Sequence, residues 1–165
     1  MNEATLRIRS ARAKDAAAVA RIYNEGIRGR GATFETRERT CGDVLPWFGD
    51  PKHPVLVADL GGRVVGWVAA STYRARECYA GIAEFSVYVA GEARGRGVGD
   101  ALLAAFLAAC EAAGLWKVLS RIFPENTASR ALCARHGFRE VGVYEKHGQL
   151  DGEWRDVVIV ERLLG

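Results

Sequence analysis

The sequence predicts one mixed α/β domain spanning residues 1–165, and three observations predict it. Runs with the two-residue alternation of strands are interleaved with runs at helical spacing. Two of the strand-like runs are joined by Gly61-Gly62 alone, a two-residue hairpin signal. A third passes through a glycine-rich turn straight into an apolar helix, from Val87 to Asp100.

Taken in order, Leu6, Ile8 and Ser10 alternate with Arg7 and Arg9, which reads as a strand. Asp15 stands where an N-cap would precede a helix carrying Val19, Ile22, Tyr23 and Ile27. Residues Gly29 to Glu35 hold too much glycine for either element and read as a loop that covers a site. A short helix is expected around Cys41 to Phe48, then strands Val55 to Leu60, Arg63 to Ser71 and Ala83 to Val89. Leu102, Leu103, Phe106, Leu107 and Cys110 trace one helix face that Gly114 closes with a left-handed cap. Lys117 to Ile122 reads as a strand and Asn126 to His136 as a helix stopped by Gly137. Phe138 to Tyr144 and Trp154 to Val160 read as a final antiparallel pair. No internal repeat or linker argues for a second domain.

Composition narrows the function classes. The 165 residues are 49% hydrophobic, the balance of an ordinary globular chain. The longest apolar run, Ala101 to Cys110, is well short of the roughly 20 residues a bilayer span requires, so no membrane association is expected. Met1 to Arg9 alternates from the start and lacks an apolar leader, from which a cytoplasmic location is expected. Net charge is +3 with 23 basic residues dispersed along the chain, unlike the clustered stripe of a nucleic-acid binder. Cys41, Cys78, Cys110 and Cys133 stand far apart, without a C-x-x-C pair or histidines at ligand spacing. Buried free thiols are expected, and no metal site or disulfide.

The informative segment is Arg94-Gly95-Arg96-Gly97-Val98-Gly99-Asp100, at the start of the long helix. The first amides of a helix lack internal partners and its dipole is positive there, so an anion is held by donors already aimed at it. Glycine lets the backbone approach closely, and the two arginines add forked donors suited to phosphate oxygens. Neither the dinucleotide spacing G-x-G-x-x-G nor a Lys-Ser/Thr nucleotide loop is present. An ordinary tight turn remains the competing reading of these glycines alone.

The order Glu84-x-Ser86-Val87-Tyr88-Val89, Arg94-x-x-Gly97-x-Gly99, Asn126-x-x-Ser129, Gly137-Phe138 resembles the GNAT superfamily of N-acetyltransferases over about Leu6 to Leu164. Ala32-Thr33-Phe34-Glu35, Ala83 to Val89 and Gly152-x-Trp154-x-Asp156 resemble its phosphinothricin and methionine sulfoximine acetyltransferase group. The resemblance implies a mixed, mostly antiparallel central sheet flanked by helices and splayed between strands 83–89 and 117–122, with the pantetheine arm of acetyl-CoA in the gap. It implies a small amino-acid-like acceptor, a detoxifying or resistance role and a homodimer.

Acyl transfer from a thioester to an amine needs a free lone pair, a polarised carbonyl and a leaving thiolate. An ammonium with an ordinary value of about 8 or higher must lose its proton, and Glu84 is the candidate base. Its apolar strand neighbours are expected to desolvate it and raise its pKa. The resemblance assigns the backbone of Val87, Tyr88 and Val89 to the pantetheine and thioester, and residues Arg94, Gly95, Arg96, Gly97, Val98, Gly99 and Asp100 to the pyrophosphate. Asn126 fits a helix N-cap bonding Ser129, and the resemblance adds a cofactor contact for both. Cys133 stands where relatives carry Tyr or His as thiolate acid, so no dedicated acid is expected. Arg74, Arg76 and Tyr79 are expected at the acceptor carboxylate, with Phe34 and Glu35 at its side chain. Trp154 is expected to pack. The rival readings are a peptide or protein N-acetyltransferase, which would want an acidic or neutral groove instead of Arg74 and Arg76, and a CoA-binding module without turnover.

Overall fold

The computed structural model describes residues 4–165, so the first three residues of the N-terminal stretch read above lie outside the described residues. Seven strands form one sheet in the order β1-β2-β3-β4-β5-β7-β6: β1 (Leu6–Ser10), β2 (Val55–Leu60), β3 (Arg63–Thr72), β4 (Ile82–Val89), β5 (Lys117–Ile122), β6 (Arg139–Leu150) and β7 (Glu153–Leu163). Every neighbouring pair is antiparallel except β4–β5. The β2–β3 turn is Gly61-Gly62 with φ of 62° and 93°, positive at both positions as the tight hairpin requires.

Helices cover both faces, which is why β2 and β3 are apolar almost throughout. On one face α3 (Val98–Ala112) packs Leu102, Leu103 and Phe106 against Leu56, Val68, Phe85 and Val118, joined by Leu132 and Cys133 of α4 (Thr127–Arg135). On the other, α1 (Ala16–Gly29) packs Val19 and Ile22 against Val57, Val64 and Trp67, with Val44 of the short α2 (Cys41–Val44) beside them. Tyr23, Trp47, Trp67 and Tyr88 close this second core as an aromatic cluster, the Trp67 and Tyr88 rings stacked at 4.9 Å.

Asp15 is buried, and its carboxylate does not cap α1. It accepts from the Arg12 amide at 2.8 Å and from the Arg9 guanidinium at 2.8 Å, while Arg9 also reaches Asp59 at 3.3 Å. The N-cap expected from sequence is thus a clamp between β1, β2 and the start of α1. The last two strands run further than their hydrophobic patterns indicated, and the cysteines divide: Cys110 and Cys133 are buried, Cys41 and Cys78 exposed.

Candidate active site

The site begins where β4 and β5 part. Their pairing consists of Ile82↔Lys117, Ala83↔Val118 and Glu84↔Leu119, with the Ser120 hydroxyl donating to the Phe85 carbonyl at 2.9 Å just beyond. From there the strands diverge. On the opposite edge β4 stays paired with β3 as far as Gly66↔Val89. The Ala90 amide donates to Val65, so alternation sends the N–H and C=O of Tyr88 and Ser86 to β3 and those of Phe85, Val87 and Val89 into the gap. Val87 and Val89 therefore present free backbone groups to the opening. Tyr88, grouped with them in the sequence reading, does not; its ring instead enters the aromatic cluster, where burial raises its phenol far above the usual range.

The opening continues into a cavity of about 590 Å³. One wall is Val87 to Val89, the Arg94–Asp100 turn lies at one end, and Asn126, Ser129 and Leu132 of α4 lie opposite. Gly95 and Gly97 both have φ of 77°, and Gly97 caps α3 with no side chain on its first amides. A Cβ on Gly99 would come within 3.3 Å of Leu132, so glycine here lets α3 and α4 close together beside the turn. Arg94 lines the cavity, Arg96 does not, and among the described residues neither arginine is ion-paired. Asp100 is engaged: Arg135 at 3.1 Å and His136 at 2.9 Å hold its carboxyl below the ordinary carboxylate range. It ties α3 to α4 and does not offer itself to an anion. The Asn126 side chain accepts from the Ser129 amide at 3.2 Å, the expected N-cap.

A model of the acetyltransferase (GNAT) family matches residues 18–138. The chain belongs to that family. The phosphinothricin N-acetyltransferase of Alcaligenes faecalis is 37% identical over 95% of this chain and 82% of its own length. The L-methionine sulfoximine/L-methionine sulfone acetyltransferase of Pseudomonas paraeruginosa is 32% identical over 93% of this chain and 92% of its own. Among solved structures, a GNAT superfamily phosphinothricin acetyltransferase from Sinorhizobium meliloti, in complex with AcCoA, superimposes with a TM-score of 0.90 at 32% identity, covering 98% of this chain and 89% of that one. This GNAT chain is an acetyl-CoA-dependent N-acetyltransferase.

Around the cavity of this acetyltransferase, the remaining residues fall into place unevenly. Glu84 sits at the last paired position before the gap. The apolar enclosure expected around it is absent: its carboxylate accepts from Arg121 of β5 at 3.0 Å, and its side chain keeps 27% of its exposure. The loop from Gly31 approaches from the α1 side, with Gly31 and Ala32 lining the cavity. Phe34 packs edge-on against Phe123 at 4.9 Å, and Glu35 pairs with Arg39 at 2.6 Å; neither lines the cavity itself. Arg74, Arg76 and Tyr79 lie outside it as well, Arg74 stacked over Tyr73 at 5.0 Å and Tyr73 edge-on to Tyr79.

Cys133 is on the buried face of α4, where loss of solvent pushes its thiol up to about 11, and it does not line the cavity. Trp154, expected to pack, is 57% exposed: it stands near the start of β7, away from Val158 and Val160, which are buried on the same face further along the strand. The site also draws on Gly26, Arg121, Arg135 and Arg155, which are not among the residues expected from sequence. A Cβ on Gly26 would meet the Tyr88 ring at 2.5 Å, and a glycine in the middle of a helix was the sequence signal of that close approach. The three arginines carried no such signal, since each acts across 35 or more residues of chain.

Proposed function

We propose that this enzyme transfers the acetyl group of acetyl-CoA to the α-amine of a small amino-acid-like acceptor, by direct attack of the amine on the thioester. The acceptors in view are phosphinothricin, methionine sulfoximine and related toxic analogues, as the names of the relatives suggest. The observation that carries the reading is the splayed β4 edge: unpaired backbone groups at Val87 and Val89 face a cavity that runs to a helix start whose first amides carry no side-chain cap.

In this reading the pyrophosphate lies on the amides of Val98, Gly99 and Asp100, with Arg94 alongside. The pantetheine lies along Val87 and Val89, whose amides polarise the thioester oxygen as charge develops on it. Glu84 accepts the ammonium proton, directly or through water, and the freed lone pair forms the C–N bond. The adduct nitrogen releases its second proton to water, the C–S bond breaks, and the CoA thiolate departs without a dedicated acid, its own basicity being low enough. Arg74 and Arg76 receive the acceptor carboxylate at the mouth, and Phe34 and Glu35 border its side chain. A peptide acceptor would meet these two surface arginines instead of an acidic groove. The test is a thiol-release screen of acetyl-CoA against amino-acid analogues, repeated on Glu84→Gln. A fall of at least ~10²-fold in kcat/KM is expected; unchanged turnover would remove the proposed base.

A homodimer belongs to the same proposal. Ten of the twelve residues of β6 are exposed, and Val141, Val143, Tyr144 and Trp154 are large apolar side chains left exposed on this edge hairpin. Light scattering on the purified chain should give twice the 18.0 kDa subunit mass, and a monomer at micromolar concentration would reject it.

A further inference from the structure

We infer that Arg155 binds an anionic group on the acceptor's side chain, an inference that rests on the acyl-transfer reading above and names its substrate class more narrowly. Arg155 lies on β7 and lines the same cavity as Val87 to Val89. Strand register fixes which side of the sheet it faces. Arg121 pairs with Ile159 and Ile122 with Val158, so continuing the ladder places Phe123 opposite Val157, and Arg121, Phe123, Arg155 and Val157 all point to one face. That is the face of Glu84, because Arg121 bonds its carboxylate, and the face of Phe34, because Phe34 packs on Phe123. The phosphate turn belongs to α3, on the other side of the sheet. Arg155 is thus a cation on the acceptor side of the opening.

Its surroundings leave it free to bind. The guanidinium is stacked over the Phe123 ring at 4.9 Å and donates one long hydrogen bond, 3.4 Å, to the Arg30 carbonyl. Among the described residues it has no carboxylate partner. Asp151 pairs with Arg30, and the Asp156 carboxylate accepts from the Lys146 amide. Of the acidic residues lining the cavity, Glu25 accepts from the Gly91 amide, Asp100 is held by Arg135 and His136, and Glu125 makes no ion pair with Arg155. Stacking fixes the plane of the guanidinium while leaving most of its five donors available. A half-buried, oriented and unpaired Arg at a cavity wall is a receptor for an oxyanion. An acceptor whose amine meets a thioester held at Val87 to Val89 would extend its side chain across the opening toward β7. Acceptors carrying an acidic side-chain group should therefore be preferred over neutral ones of equal length.

The experiment compares phosphinothricin, whose phosphinate is charged, with methionine sulfone, which is neutral. For Arg155→Gln, KM for phosphinothricin is expected to rise about tenfold or more, as befits one charge-assisted contact. Its kcat, the constants for methionine sulfone and the acetyl-CoA dissociation constant should stay within about twofold, and Arg155→Lys should recover part of the loss. Calorimetry of phosphinothricin into the CoA complex of wild type and Arg155→Gln reads the same difference without turnover. Equal losses for both acceptors, a weakened acetyl-CoA constant, or no difference in phosphinothricin binding would each overturn the assignment. If wild type binds acetyl-CoA but acetylates neither compound, the reaction proposed above fails, while the calorimetric comparison still decides the role of Arg155.

Discussion

Two arginine–carboxylate pairs of nearly equal length do opposite things in this molecule. Arg9–Asp15 spans 2.8 Å with side chains 11% and 4% exposed; Arg121–Glu84 spans 3.0 Å with side chains 44% and 27% exposed. The first is closed by a second carboxylate, Asp59, and a backbone amide, so every charge has its partners and little water reaches the pair. The second stands at the last rung before a sheet opens, with solvent on one side. Exclusion of water turns a charge pair into a fastener, whereas access leaves the carboxylate able to exchange partners, which the base role proposed for Glu84 requires.

The widest separation between the two should come from Glu84→Gln, which is expected to cost 10²-fold or more in kcat/KM while thermal unfolding shifts little. A large stability loss with that variant would place Glu84 in the same class as Asp15. The converse change, Asp15→Asn, is expected to cost about 3 kcal/mol in denaturant unfolding, since it strands Arg9 with weakened partners, and to spare KM values of the folded enzyme. Arg9 holds the Asp15 carboxyl below its ordinary value in the folded chain. The pair's contribution is therefore complete above about pH 4, the unfolded value, and is lost as pH falls through the lower folded one. Stability curves of wild type and the variant should converge on acidification through that window. The smallest effect belongs to Arg121→Gln: unfolding free energy within about 1 kcal/mol of wild type, and kcat/KM lowered roughly fivefold as Glu84 loses one orienting bond.

Local pattern was enough to read much of this fold. The Gly61-Gly62 hairpin, the strand Lys117–Ile122 and the α3 helix with its Gly114 cap follow from period and punctuation in a few consecutive residues. β6 was read short because its second half, around Lys146, His147 and Gly148, looks like a loop. There the register with β7 slips between Tyr144 and Gly148 and Lys146 takes φ of 47°. At the site, the glycine turn is contiguous and its place at the start of α3 was legible, while Glu84, named as candidate base, stands at the last rung before the gap. Its partner Arg121 is 37 residues away, and Arg155 meets Arg30 across 125, so no local pattern encodes either contact. Individual burial was misjudged for the same reason: whether Trp154, Cys41 or Cys78 is covered depends on which neighbours the topology supplies.

The gap between β4 and β5 also ties the lifetime of the chain to its metabolism. A strand with one unsatisfied edge at its centre is a weak seam, and whatever fills the seam lends the sheet its missing ladder. Ligand at a hundred times its dissociation constant adds about 2.7 kcal/mol to the folded state. A cell rich in the acyl donor would therefore keep more of this protein intact, and one starved of it would lose the catalyst together with the fuel.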